Sequence, residues 1–166
     1  MSADSGFLGA ADFRHAVASV PLVSIDLLVV REGHLLLGRR RDEPARDTWF
    51  VPGGRIRRGE SIGGALTRIW AAELDGDMEA RPATLVGAYE HHYECCFDGS
   101  PIATHYVVLA HRITPRGVVR LKSESHLAEW WAPVMSAPAE HDGVKVHPNT
   151  LAYFGALAAC GGSRRC

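Results

Sequence analysis

Hydrophobic positions divide the chain into stretches of helical and extended periodicity. Phe13, Val17 and Val20 recur at helical spacing, so a short helix is predicted from Ala10 to Val20, stopped by Pro21. Leu22 to Val30 is an apolar, β-branched run, and Glu32-Gly33 reads as a hairpin turn into a second strand at His34 to Leu37. A charged loop, Arg39 to Thr48, leads to a short strand at Trp49 to Val51, which Pro52-Gly53-Gly54 ends as a tight turn. Ser61 is a candidate N-cap for a helix carrying Ile62, Leu66, Ile69 and Trp70 on one face, ended by Asp75-Gly76. Thr84 to Phe97 and Ile102 to Thr114 read as two long strands about a turn at Asp98-Gly99. Val118 to Leu121 and Glu129 to Trp131 add short strands, and Leu151, Phe154 and Leu157 or Ala158 mark a final helix from Asn149 to Ala159. The expectation is an α/β (α+β) domain over residues 10–160, with a flexible leader at 1–9 and a flexible tail at 161–166.

Composition narrows the function classes. The 166 residues include 18 Lys+Arg and 19 Asp+Glu, a formal net charge of −1, which argues against a general nucleic-acid or membrane-surface binder. The apolar runs are strand-sized, and the N-terminus shows no basic region followed by an apolar one, so a cytoplasmic protein is expected. Cys95, Cys96, Cys160 and Cys166 match neither zinc-ligand spacing nor a disulfide framework and read as reduced thiols. The 9 histidines are numerous for this length, and each must be argued from its surroundings.

The segment from Trp49 to Asp75, WFVPGGRIRRGESIGGALTRIWAAELD, concentrates the chemistry. A strand meets a glycine pair, Glu60 follows, and the helix beyond carries Arg68 and Glu73. This resembles the Nudix box, G-x5-E-x7-R-E-U-x-E-E-x-G-U with U apolar. Gly54, Glu60 and Arg68 fall in register, and Glu73 takes the last glutamate position. The resemblance implies the Nudix fold, a mixed β-sheet sandwiched between helices. Two carboxylates of the box are replaced by Ile69 and Ala72, and Asp75 stands for its glycine. Positions 69, 72 and 73 share a helical face, where ordinary Nudix enzymes cluster carboxylates around several Mg²⁺ ions. A lone glutamate, a backbone carbonyl and the substrate's diphosphate could hold one Mg²⁺.

The same loss characterises one Nudix family, the GDP-mannose mannosyl hydrolases, which this chain resembles from about Phe13 to Phe154 through PLVSIDLLV, LLLGRR, WFVPGGR, THYVVL and VHPNTLAYF. The resemblance implies Mg²⁺-dependent hydrolysis of GDP-mannose or GDP-glucose by a homodimer, with water attacking the anomeric carbon with inversion. By the same resemblance His126 is the general base, Arg40 and Arg55 stabilise the departing diphosphate, and Tyr106 contacts it. Arg39 and Arg41 compete with Arg40 for its register. Gly53, through its carbonyl, and Glu73 are the implied metal ligands. Ser125 stands where the family has a ligating glutamine, with Glu124 as a neighbouring substitute. Asp26 and His91 align with residues near the substrate, while Glu60 and Arg68 read as a scaffold pair. A pyrophosphohydrolase of nucleotide sugars and an inactive nucleotide-binding domain are the alternatives.

Overall fold

A computed structural model describes residues 8–76 and 83–162, so most of the predicted leader and the end of the predicted tail lie outside the described residues. Helix α1 spans Ala10–Ser19. Strands β1 (Leu22–Arg31) and β2 (His34–Arg40) follow, joined by the predicted hairpin. Glu32 and Gly33 take φ of 50° and 76°, the left-handed pair that a two-residue hairpin requires. Strand β3 is Trp49–Phe50 and β4 is Gly53–Arg55. Helix α2, Ile62–Glu73, begins where predicted: Ser61 Oγ accepts a hydrogen bond from Gly64 N at 3.1 Å. Strands β5 (Leu74–Asp75), β6 (Thr84–Tyr93), β7 (Thr104–Ile113), β8 (Arg120–Leu121), β9 (His126–Pro133), β10 (Glu140–His141) and β11 (Val144–Lys145) precede helix α3, Pro148–Gly162.

The main sheet has seven strands and is mixed. Strands β3, β2, β1, β7 and β6 run in order, with β4 added to β1 and β9 to β2. Strand β1 pairs parallel with β7, and antiparallel with β2 and β4. It is buried without a break from Ser24 to Val30 because both faces are covered. Ile25, Leu27 and Val29 pack with Leu66, Ile69 and Trp70 of α2, while Leu28 and Val30 pack with Tyr153, Phe154 and Leu157 of α3. Among the described residues, no helix is long and apolar enough to cross a membrane.

Four local expectations change. The glycine pair is a strand rather than a tight turn: Gly53 pairs with Asp26 and Gly54 with Ile25. Both glycines serve close approach. A Cβ on Gly53 would meet Ile25 O at 2.7 Å, and one on Gly54 would meet Ile69 Cγ1 at 3.2 Å. Strands β6 and β7 stop at Tyr93 and start at Thr104, because residues 94–103 fold into a loop that bonds to itself. Within it Gly99 N donates to Cys96 O at 2.9 Å and Cys96 N to Ser100 O at 2.9 Å. Helix α2 gives way to β5 at Leu74, which pairs with Leu121 of β8, before Asp75-Gly76 is reached. Strand β2 runs on to Arg40, and β9 starts at His126, because the two strands pair across that stretch.

The loop ahead of α2 is tied to the helix. Arg68 Nε and Nη2 each donate to Glu60 at 2.7 Å, Arg68 Nη2 also donates to Arg55 O at 2.7 Å, and Glu60 Oε2 accepts from Arg57 N at 2.9 Å. Such a fork-to-fork pair favours the ionised acid. The Arg68 hydrogen bond pulls the Glu60 carboxyl from 4.5 to about 2. A carboxyl whose folded pKa is depressed contributes stability above its unfolded pKa and loses it as pH falls through the folded one. Urea denaturation should therefore show the wild type losing stability between pH 4.5 and about 2 more steeply than Glu60→Gln. Parallel curves for the two proteins would remove this pair from the acid response.

Candidate active site

Six of the sequence-predicted residues line one cavity of about 230 Å³: Asp26, Arg40, Gly53, Arg55, His91 and Tyr106. They arrive from β1, β2, β4, β6 and β7, so the sheet itself assembles the site. The ambiguity among three consecutive arginines is resolved by what each side chain meets. Arg40 lines the cavity, Arg39 bonds to Asp47 at 3.0 Å, and Arg41 donates to Ser123 O at 3.2 Å. Arg55 stacks under α1, its Cζ 3.7 Å from the centre of the Phe13 ring, and burial lowers its pKa from the ordinary value. Arg55 and Phe97 also line a neighbouring cavity of about 590 Å³ beneath α1.

The cavity floor is a buried polar relay. Tyr153 Oη donates to Asp26 Oδ2 at 2.7 Å, and the same oxygen lies 3.1 Å from His91 Nε2. Burial raises the Asp26 carboxyl to about 7, against the opposing pull of the Tyr153 bond and the Arg40 charge. Burial, with the nearby His147 and His92, lowers His91 to about 4. Burial also raises the Tyr106 phenol above its ordinary value. Two guanidiniums thus face a pocket lined by two carboxyls, Glu43 and the buried Asp26, the latter raised to about 7. Such a site attracts a doubly charged anion such as a diphosphate.

Glu73, Ser125 and His126 form a separate cluster that does not contribute to the lining of that cavity. Glu73 Oε2 lies 2.9 Å from His126 Nε2, and Ser125 Oγ donates to Glu73 Oε1 at 3.3 Å. The predicted lone acid therefore has two partners already. Read as a loop residue from the sequence, His126 instead opens β9 opposite Arg40, with its side chain only 1% exposed. Its ring lies on the backbone of Gly38, and its Nδ1 is buried without a hydrogen-bond partner. Ser125 reaches Glu73 directly, despite being shorter than glutamine, because β9 brings it beside the end of α2. Glu124 is exposed.

Sequence reasoning missed Tyr153, Tyr93 and Glu43. Tyr93 and Glu43 line the cavity, and Tyr153 holds Asp26. Tyr153 sits in the apolar helix pattern beside Phe154, where a tyrosine reads as packing, and only its hydroxyl marks it out.

A family model for the NUDIX domain matches residues 20–154, and the chain belongs to that family of hydrolases. Nudix hydrolases generally use a divalent metal. The chain is 41% identical over 98 residues to the low-salt glycan biosynthesis protein Agl8 of Haloferax volcanii, a match covering 59% of this chain and 62% of that protein, less than two thirds of its length. Among solved structures, the MutT NUDIX hydrolase of Burkholderia pseudomallei superposes with a TM-score of 0.67 at 22% identity, over 84% of this chain and 99% of that one. The NUDIX domain of Shewanella oneidensis NrtR, solved with ADP ribose, superposes with a TM-score of 0.61 at 13% identity, over 92% of this chain and 98% of that one.

A methyl group on Gly38 would overlap His126 Nδ1. Gly38→Ala should therefore displace His126 from Glu73 and cost about 1–3 kcal/mol, the usual range for overpacking. Denaturant unfolding measures the loss, and imidazole NMR shifts report the displaced ring. Unchanged stability with an unchanged His126 signal would mean that the ring does not rest on this glycine.

Proposed function

We propose that the chain hydrolyses the glycosidic bond of a GDP-hexose, GDP-mannose or GDP-glucose, releasing GDP and the free sugar with inversion. The observation that carries this reading is the apolar helix face beside β4. Ile69 is buried against Gly54 and Ala72 bears no donor, so Glu73 is the single carboxylate that α2 offers there. Attack at phosphorus in the usual Nudix manner calls on more carboxylates than this. Attack at carbon calls instead on cations at the leaving diphosphate, and Arg40 and Arg55 in the cavity fit that need. The sequence match to a protein named for glycan biosynthesis supports a sugar-bearing substrate.

The donors present fit one hard cation. Two donors engage the Glu73 carboxylate, which retains further lone pairs, and Ser125 adds a hydroxyl oxygen. Mg²⁺ accepts such oxygen ligands while keeping several waters and sharing substrate phosphates. Glu73, Ser125 and the Gly53 carbonyl are the residues that would hold it, and bound there it would neutralise diphosphate charge.

In the reaction a water oxygen bonds to the anomeric carbon as the C–O bond to the diphosphate breaks, and GDP departs with the electron pair. His126 takes the water's proton at a ring nitrogen, although its bond to Glu73 holds the ring away from the cavity in this structure. To do so the ring must turn out of its buried seat on Gly38. Arg40, Arg55 and Tyr106 meet the charge gathering on the leaving group, and Asp26 and His91 line the same pocket beside them. The active unit is a homodimer in this reading, which sedimentation tests.

Turnover of GDP-mannose with Mg²⁺ in ¹⁸O-labelled water should place the label in mannose. Label in GMP or mannose 1-phosphate would assign a pyrophosphohydrolase, and tight binding without turnover an inactive binding domain.

His126→Gln should lower kcat by about 10²–10⁴-fold with little change in substrate affinity. Glu73→Gln should lose most activity, and adding Mg²⁺ should not restore it. Arg55→Gln should slow GDP release from the sugar by about 10²-fold. A His126→Gln enzyme with wild-type kcat would place the base elsewhere, with His91 next in line.

A further inference from the structure

The outer face of the β6–β7 pair carries a cluster unrelated to the cavity. His92 and His105 stand directly opposite each other in the antiparallel register, and Glu90 precedes His92 by two residues on the same face. The two imidazoles stack with centroids 4.3 Å apart and planes 25° from parallel. Glu90 Oε1 lies 3.8 Å from His105 Nε2, too far for a hydrogen bond. His105 Nε2 is buried without a partner. One ligand atom from each of the three residues falls within 4.8 Å of the other two.

We propose that Glu90, His92 and His105 bind a divalent transition-metal ion of the Zn²⁺, Co²⁺ or Ni²⁺ type, at a site distinct from the Nudix centre. Two imidazoles and a carboxylate are the donors such borderline ions select, while Mg²⁺ favours oxygen alone. Ligands of a tetrahedral ion with bonds of about 2.0–2.1 Å lie about 3.3 Å apart, so small side-chain rotations close the trio. The backbone register already sets the spacing, and the remaining positions on the ion stay open to water. Adjacent residues place this site behind the cavity. His91 and Tyr106 pair on the inner face, one residue from His92 and His105 on the outer. A bound ion therefore clamps the two strands where they enter the loop at 94–103.

The test uses the untagged full chain stripped by a chelator and titrated with Co²⁺, read by visible absorption and by calorimetry. One equivalent should bind below about 0.1 mM, unaffected by about a hundredfold excess of Mg²⁺. At about a hundredfold excess over its Kd, Zn²⁺ should raise Tm by about 5–10 °C. His92→Gln and His105→Gln should each abolish binding and the Tm rise, and Glu90→Gln should weaken binding about tenfold. Glu73→Gln and His126→Gln should leave both intact, which separates this ion from the proposed Mg²⁺. His92 and Glu90 are exposed, so their replacements leave the core untouched, and circular dichroism checks the fold. Retained Co²⁺ binding in His92→Gln and His105→Gln, its loss in Glu73→Gln, or no binding by the wild type at 1 mM would each overturn the site.

Discussion

Strand β1 has two edges, and three strands share them. Strand β7 occupies one edge from Leu22 to Val29. On the other, β4 takes Ser24 to Asp26 and β2 takes Val30 and Arg31, so the sheet divides between them. Leu27 N bridges the gap by donating to Pro52 O at 2.8 Å, which keeps the backbone satisfied at the split. The cavity sits beside this division. Arg40 reaches it from β2 and Arg55 from β4, two strands that could not both present cations to one space if each ran the length of β1.

Burial of β1 on both faces has an electrostatic consequence. Residues of even number, Asp26 among them, point to the α3 side, where Tyr153 is fully buried. An acid there must be protonated or hydrogen-bonded, and Asp26 is held by Tyr153 with its carboxyl near 7. Burial thereby keeps Asp26 from full ionisation beside the cations of the pocket. Residues of odd number point to α2, where Ile69 rests on Gly54 and leaves Glu73, one turn further, to meet His126. A carboxylate at position 69 would sit among Ile25, Leu27 and Leu66, so its absence suits packing as well as chemistry.

Much of the frame was legible because it is written in short-range relations. The Glu32-Gly33 hairpin, the Ser61 cap and the Glu60–Arg68 clamp each join residues close in the chain, at spacings that geometry permits in few other ways. The Nudix register from Gly54 to Glu73 belongs to the same class, and so the family is readable in the chain itself. The glycine pair was misread as a turn because glycine marks either a positive φ or a close approach, and the chain alone does not say which. Here Ile25 O and Ile69 decide for close approach.

What only the tertiary structure decided are contacts between residues far apart in sequence. Asp26 meets Tyr153 across 127 residues, and Glu73 meets His126 across 53. Which of the three arginines enters the cavity depends on the partners each finds in space, and the convergence of Glu90, His92 and His105 depends on the β6–β7 register. By itself the sequence determined which residue types were available, the elements they favour and the family those elements compose. Pairing register and the division of the β1 edge then determined which side chains share a space. Those are properties of the whole sheet, because one residue of register moves every side chain to the other face.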